Sequence, residues 1–142
     1  MTSQTDRPRV GKRQYESLAN FRYQLRCYLR YSEDITRRHG MTPLQYQLLL
    51  QVKGFPNRDY ASIGELAERL QAKHHGVVAL VTRCENAGLV ERRVNDSDRR
   101  QVQVYLTDKG EKQLERLAEL HRRELLQLQG RFVVPGSGDF EL

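Results

Sequence analysis

The chain is poor in cysteine, proline and tryptophan, with two, four and none respectively in 142 residues. Cys27 and Cys84 are too few for a disulfide scaffold or a CxxC metal site, so both are expected as reduced thiols in helical stretches. No apolar run approaches the roughly 20 residues a membrane span needs. The start of the chain, Met1 to Arg13, is polar and has no apolar signal segment. A cytoplasmic protein without a membrane partner is expected. Catalytic patterns are also missing: there is no Gly-rich phosphate loop, no Ser/His/Asp or Cys/His arrangement, and no pair of carboxylates that stands out from the helical background. The four histidines are His39, His74, His75 and His121. Adjacent histidines on a helix point about 100° apart, and a zinc site needs three or four convergent ligands. Neither a metal, a cofactor nor an enzymatic activity is expected.

What is present is charge. Lys and Arg number 24 against 18 Asp and Glu, a net charge of +6 with a pI near 9.6. The first 38 residues alone hold nine basic and four acidic side chains. Such a balance favours a polyanionic partner. The length fits one compact domain. Hydrophobic residues make up 38% and charged ones 30%, a low apolar share for so small a globule. Part of the apolar surface is therefore expected to be buried between subunits.

Periodicity divides the chain. Residues 1–13 lack it and read as a flexible N-terminal arm. Residues 14–38 read as a helix with two apolar stripes: Leu18, Phe21, Leu25, Tyr28, Leu29 and Ile35 on one side, Tyr23, Cys27 and Tyr31 on the other. A helix apolar on two faces needs two partners, one of which is expected to be a second copy of itself. After His39-Gly40-Met41, Thr42-Pro43-Leu44-Gln45 opens a helix to about Val52, with Thr as cap, Pro in the first turn and Gln three residues on. Ser62-Ile63-Gly64-Glu65 is a second capping box, ahead of a short helix. A third helix carries Val77, Leu80, Val81 and Cys84 on one stripe and ends at Gly88. Then Leu89 to Val94 and Gln101 to Leu106 read as strands around the polar turn Asn95-Asp96-Ser97-Asp98, a β-hairpin. Two short helices followed by a hairpin make a winged helix-turn-helix over residues 39–106. Thr107 caps a last helix, expected over 107–134 with Leu114, Leu117, Ala118, Leu125 and Leu128 on its stripe, before a tail at 135–142. The expected fold is mainly α with a small β-hairpin wing, all in one structural domain with dimerisation helices at both ends.

Within Met41 to Leu128, four motifs occur in a fixed order: Ile63-Gly64-Glu65-Leu66-Ala67-Glu68-Arg69-Leu70, Leu89-Val90-Glu91-Arg92-Arg93, Asn95-Asp96-Ser97-Asp98-Arg99-Arg100 and Val104-Tyr105-Leu106-Thr107-Asp108-Lys109-Gly110. In that order and spacing they resemble the MarR family of bacterial and archaeal regulators. The resemblance implies a homodimer whose first and last helices interlock. It also implies two winged domains on a pseudopalindromic site of double-stranded DNA, and repression relieved by a small ligand.

The residues support this on their own terms. If Val77, Leu80, Val81 and Cys84 face the core, the same helix presents His75, Val78, Ala79, Thr82 and, at its flank, Arg83. Arg83 and Thr82 suit base edges or phosphates, His75 either, and Val78 and Ala79 apolar contact of the kind a thymine methyl accepts. Lys73, His74 and His75 stand where a capping Ser, Thr, Asp or Asn is usual, which leaves two readings: a DNA phosphate takes the cap's place, or the helix is simply started by water and chain geometry. At the wing, Arg99 and Arg100 suit a narrow minor groove. The resemblance makes Asp98 the residue that shapes the loop and Arg99 or Arg100 the contact. Arg92 and Arg93 read as phosphate binders or surface charge.

The resemblance further places an effector pocket where the dimerisation helices meet the winged domain. Here it draws on Tyr28, Tyr31, His39 and Tyr46, beside Ile35 and Leu49, and would suit a small phenolic or aromatic effector. Some relatives sense oxidants through a cysteine on the first helix, which makes Cys27, one turn from Tyr23 and Tyr31, the candidate for thiol-based redox sensing. A winged-helix dimer used for protein–protein interaction is the other reading, favoured by the apolar Val78 and Ala79.

Overall fold

The computed structural model describes residues 9–136 and 138. Its first helix, α1 (Lys12–Arg38), begins where the Gly11 amide donates to the Gln14 side chain at 2.8 Å. Helix α2 (Pro43–Lys53) begins with a reciprocal capping box: Thr42 Oγ1 accepts from the Gln45 amide at 3.1 Å, and Gln45 Oε1 accepts from the Thr42 amide at 3.0 Å. A three-residue strand, β1 (Tyr60–Ser62), runs into α3 (Ile63–Leu70), whose box pairs Ser62 and Glu65 at 3.2 and 2.9 Å. Gln71, at φ 50°, turns the chain out of α3, and α4 (His74–Asn86) follows. The hairpin is β2 (Val90–Val94) and β3 (Val102–Leu106). Last comes α5 (Asp108–Gln127), where Thr107 Oγ1 accepts from the Gly110 amide at 3.0 Å and donates to the Gly88 carbonyl at 2.6 Å.

The strands form one antiparallel sheet in the order β1-β3-β2, with Tyr60 opposite Tyr105 and Val90 opposite Leu106. The hairpin was legible in sequence; β1 was not. Three residues are too few to show a period of two, and their partner strand lies far along the chain. The core is the winged region. Leu48, Leu49 and Val52 of α2, Ala61, Leu66 of α3, Val77, Val81 and Cys84 of α4 and Val104 of β3 are all buried, and Ile35, Leu114 and Leu117 close it from α1 and α5. Gly110 is required where α5 crosses the end of the α4–β2 connection. A Cβ there would lie 2.0 Å from the Leu89 carbonyl oxygen, a backbone atom that cannot step aside.

The two ends differ from expectation. Lys12 and Arg13, assigned to the arm, are the first turn of α1, and Gly11 is its cap residue; residues 1–8 of the expected arm lie outside the described residues. The last helix stops at Gln127 and not at 134. Gly130, at φ +82°, reverses the chain, the Phe132 amide donates to the Leu128 carbonyl at 2.9 Å, and the Phe132 ring meets Phe21 of α1 at 5.6 Å. Of the expected tail, residues 137 and 139–142 lie outside the described residues. The two stripes of α1 are also redrawn. Tyr31 joins Phe21, Leu25, Tyr28 and Ile35 on the inner face, while Leu18, Tyr23, Cys27 and Leu29 are exposed. Among the described residues no helix is long and apolar enough to cross a membrane, and no group of three metal-ligating side chains is found.

Candidate nucleic-acid interface and aromatic cleft

The outer face of α4 is built by its inner one. Burial of Val77, Leu80, Val81 and Cys84 leaves His75, Val78, Ala79, Thr82 and Arg83 exposed. Burial pushes the Cys84 thiol up to about 11, so it is a core group without thiolate reactivity. The start of the helix is open. Lys73 sits at the cap position without a side-chain hydrogen bond to the first turn, which contains no acidic residue. Lys73, His74 and His75 are all exposed, and among the described residues their side chains have neither a hydrogen bond nor an ion pair. The same is true of Arg83.

The wing is shaped by its own side chains. Asn95 Oδ1 accepts from the Ser97 amide at 3.0 Å, and Asp98 Oδ1 accepts from the Arg100 amide at 3.0 Å. These Asx-type bonds fold the turn. They leave the Arg99 and Arg100 guanidinium groups exposed and, among the described residues, without a partner. The other two wing arginines are engaged. Arg93 pairs with Glu91 and lies 3.9 Å from the centre of the Tyr105 ring. Arg92 is turned onto α4, where it donates to Glu85 at 2.9 Å and to Thr82 Oγ1 at 2.8 Å. Thr82 and Arg92, both expected at the DNA, thus hold each other.

Three of the four residues expected at a ligand site meet, and they meet around a residue the sequence reading left out. His121 of α5 stacks on Tyr46 at 4.5 Å with 7° between the planes, and takes Tyr28 and Tyr31 edge-on at 6.2 and 6.0 Å. The ring is buried and doubly bonded. Nδ1 lies 2.7 Å from the Leu117 carbonyl, which only accepts, so Nδ1 donates there, and Nε2 lies 2.7 Å from the Ser32 hydroxyl. Its place in the Leu114, Leu117, His121, Leu125 spacing was a signal available in the sequence. Beside it opens a cleft of about 340 Å³ whose lining includes Tyr28, Tyr46, Leu50, Ala118, His121 and Leu125. Burial, with Tyr28 nearby, pushes the Tyr46 hydroxyl up to about 12, and burial likewise raises Tyr28 and Tyr31. All three are neutral phenols at physiological pH.

His39 lies elsewhere. Its Nδ1 is 2.8 Å from the Ile35 carbonyl, and it lines a separate polar recess with Arg38, Gln113 and Arg116. Tyr31, expected one turn from Cys27 on a shared stripe, donates instead to the Leu120 carbonyl at 3.2 Å on the other side of α1. Cys27 is exposed without it.

Comparison with known proteins agrees with this geometry. The MarR family model matches residues 39–101, which span α2 to the end of the wing turn. The HTH-type transcriptional repressor MdtR of Bacillus subtilis is 32% identical over 74 residues, a stretch covering 52% of this chain and 46% of that repressor, about half its length. Among solved structures, AbsC, a MarR family transcriptional regulator from Streptomyces coelicolor, superposes with a TM-score of 0.72 at 22% identity, covering 89% of this chain and 84% of that one. A mutant of S. aureus MepR bound to an oligodeoxyribonucleotide gives a TM-score of 0.65 at 22% identity, with 82% of each chain covered. The fold extends beyond the matched sequence to both terminal helices. In its winged helix-turn-helix region, residues 39–101, the chain is similar to the MarR family, and over most of its length it shares the fold of solved MarR-family structures.

Proposed function

We propose that the protein is a homodimeric, sequence-specific DNA-binding transcriptional repressor. The observation that carries this reading is the open start and exposed outer face of α4, combined with a wing tip where Arg99 and Arg100 stand without partners. Free amides at a helix start attract a phosphate, and Lys73 adds to that attraction. His75, Val78, Ala79 and Arg83 lie along the helix for the major groove, and the two arginines suit the minor groove. Affinity then comes mainly from phosphate neutralisation and falls with salt.

The dimer is supported by what the single chain leaves uncovered. Tyr15, Leu18, Tyr23 and Leu29 of α1 and Leu125 and Leu126 of α5, followed by Val133 and Val134, are large apolar side chains open to solvent. Gathered on the two terminal helices, they suit burial against a second copy. The cleft at Tyr28, Tyr46 and His121 suits a small aromatic or phenolic effector, because flat rings and neutral hydroxyls line it together. It is formed by α1, α2 and α5, and α2 packs in the same core as α3 and α4. A ligand wedged against Tyr46 would act on the reading helix through that core and release the DNA.

Selection of bound duplexes from a random pool, with the protein's mass measured by light scattering, tests this reading. An enriched inverted repeat and a two-chain mass are expected. No enrichment over input, or a one-chain mass, would contradict it.

A further inference from the structure

At the root of the wing, Arg92 looks placed to bind a phosphate, but its guanidinium is already occupied. Nη1 donates to Glu85 Oε1 at 2.9 Å, and Nη2 donates to Thr82 Oγ1 at 2.8 Å and to the Val78 carbonyl at 3.2 Å. The Arg92 amide donates to the other Glu85 oxygen at 3.2 Å. The Thr82 hydroxyl donates in turn to the Val78 carbonyl at 3.0 Å. Residues 78, 82 and 85 follow one another at i, i+4 and i+7, so one side chain from β2 grips two turns along a single stripe of α4. Only a guanidinium, with five donors in a planar fork, can meet this set of acceptors at once.

We propose that Arg92 is the positioning residue of the DNA-reading unit: it brackets α4 to the wing at a fixed angle and, by holding the Thr82 hydroxyl, withdraws that hydroxyl from base reading. This rests on the DNA-binding reading above. Helix and wing must enter neighbouring grooves together, and a joint that flexes loses affinity to the cost of ordering it on each encounter. Thr82 is the single hydroxyl residue in α4. With it occupied, discrimination along the helix falls to His75, Val78, Ala79 and Arg83, and to the shape of the DNA.

Charge arithmetic and the bracket make opposite forecasts. Arg92→Lys keeps the charge and loses the fork. The bracket predicts binding about tenfold weaker, close to Arg92→Ala, with the salt slope unchanged. A phosphate contact predicts near wild-type affinity for Lys and a slope lowered by about one for Ala. Glu85→Ala removes a negative charge near the DNA-facing side, so simple electrostatics predicts tighter binding, whereas the bracket predicts weaker binding that is not additive with Arg92→Lys. Thr82→Val should leave base preference in the selected pool unaltered. A reading independent of DNA comes from amide exchange in the free protein, where residues 90–94 should exchange faster in Arg92→Lys at unchanged melting temperature. Wild-type affinity for Arg92→Lys, tighter binding by Glu85→Ala, or unchanged exchange overturns the bracket. If the wild type enriches no duplex, the DNA reading fails, and the exchange measurement still decides whether the bracket exists.

Discussion

Helices α3 and α4 are the two halves of one motif and begin in opposite ways. Helix α3 closes its first turn from within: Ser62 and Glu65 cap each other's backbone, and Glu65 pairs with Arg58, which also lies 4.1 Å from the Phe55 ring centre and 4.8 Å from that of Tyr60. Helix α4 has a lysine at the cap position, two histidines behind it and no acidic residue in the first turn. Side chains cap α2, α3 and α5, whereas α1, begun at Gly11, and α4 have no such cap; on the proposed reading, the basic open start of α4 suits an outside anion. On that reading, the difference is that between a helix closed from within and one that a DNA phosphate would complete.

Breaking the inner side of the comparison has the largest effect. Leu66 of α3 is fully buried, and Leu66→Ala should cost about 3 kcal/mol in denaturant unfolding. Val78 of α4, 37% exposed, should give a change within about 0.5 kcal/mol on truncation to alanine. Next comes Lys73→Asp, where stability and function should part. The new side chain supplies the missing cap and a favourable charge, raising stability by about 0.5–1 kcal/mol in a thermal melt. The same change should weaken DNA binding about tenfold and reduce its salt slope. Ser62→Ala, at the matching position of α3, should only destabilise, by about 1 kcal/mol, with affinity unchanged once the protein is folded.

The smallest effect is one of pH. Burial alone would raise the Glu65 carboxyl, but the Ser62 hydrogen bonds and the Arg58 charge outweigh it and hold the group below its ordinary value. A folded value below the unfolded one means that the contribution is complete above the ordinary glutamate range and is lost as pH falls through the lowered value. Glu65→Gln should therefore flatten the acid limb of a melting-temperature profile. An acid limb as steep as that of the wild type would remove Glu65 from the account.

How far the sequence could be read follows from the range of each signal. Capping boxes at Thr42 and Ser62, the stripe of Val77, Leu80, Val81 and Cys84 and the alternation of Val102 to Leu106 are local, and they placed α2, α3, α4 and the hairpin. Strand β1 exists only through its pairing with β3, and no window of three residues carries that information. The end of α5 was overrun because Leu128 continues the apolar spacing past the point where Gly130 turns the chain back. At the candidate interface, periodicity told which side of α4 is exposed but not which exposed groups are free. Thr82 and Arg92 read as available donors and are bound to each other across the motif. His121 was passed over as one histidine among four, although its helical register already set it among leucines.

The most direct measurement is fluorescence anisotropy of the wild-type protein on duplex from its own upstream region and on a scrambled duplex of equal length, each at two salt concentrations. Tight binding that prefers the upstream duplex and weakens steeply with salt is the predicted result. Equal, weak binding to both duplexes at both concentrations would contradict the account and turn the open face of α4 toward a protein partner.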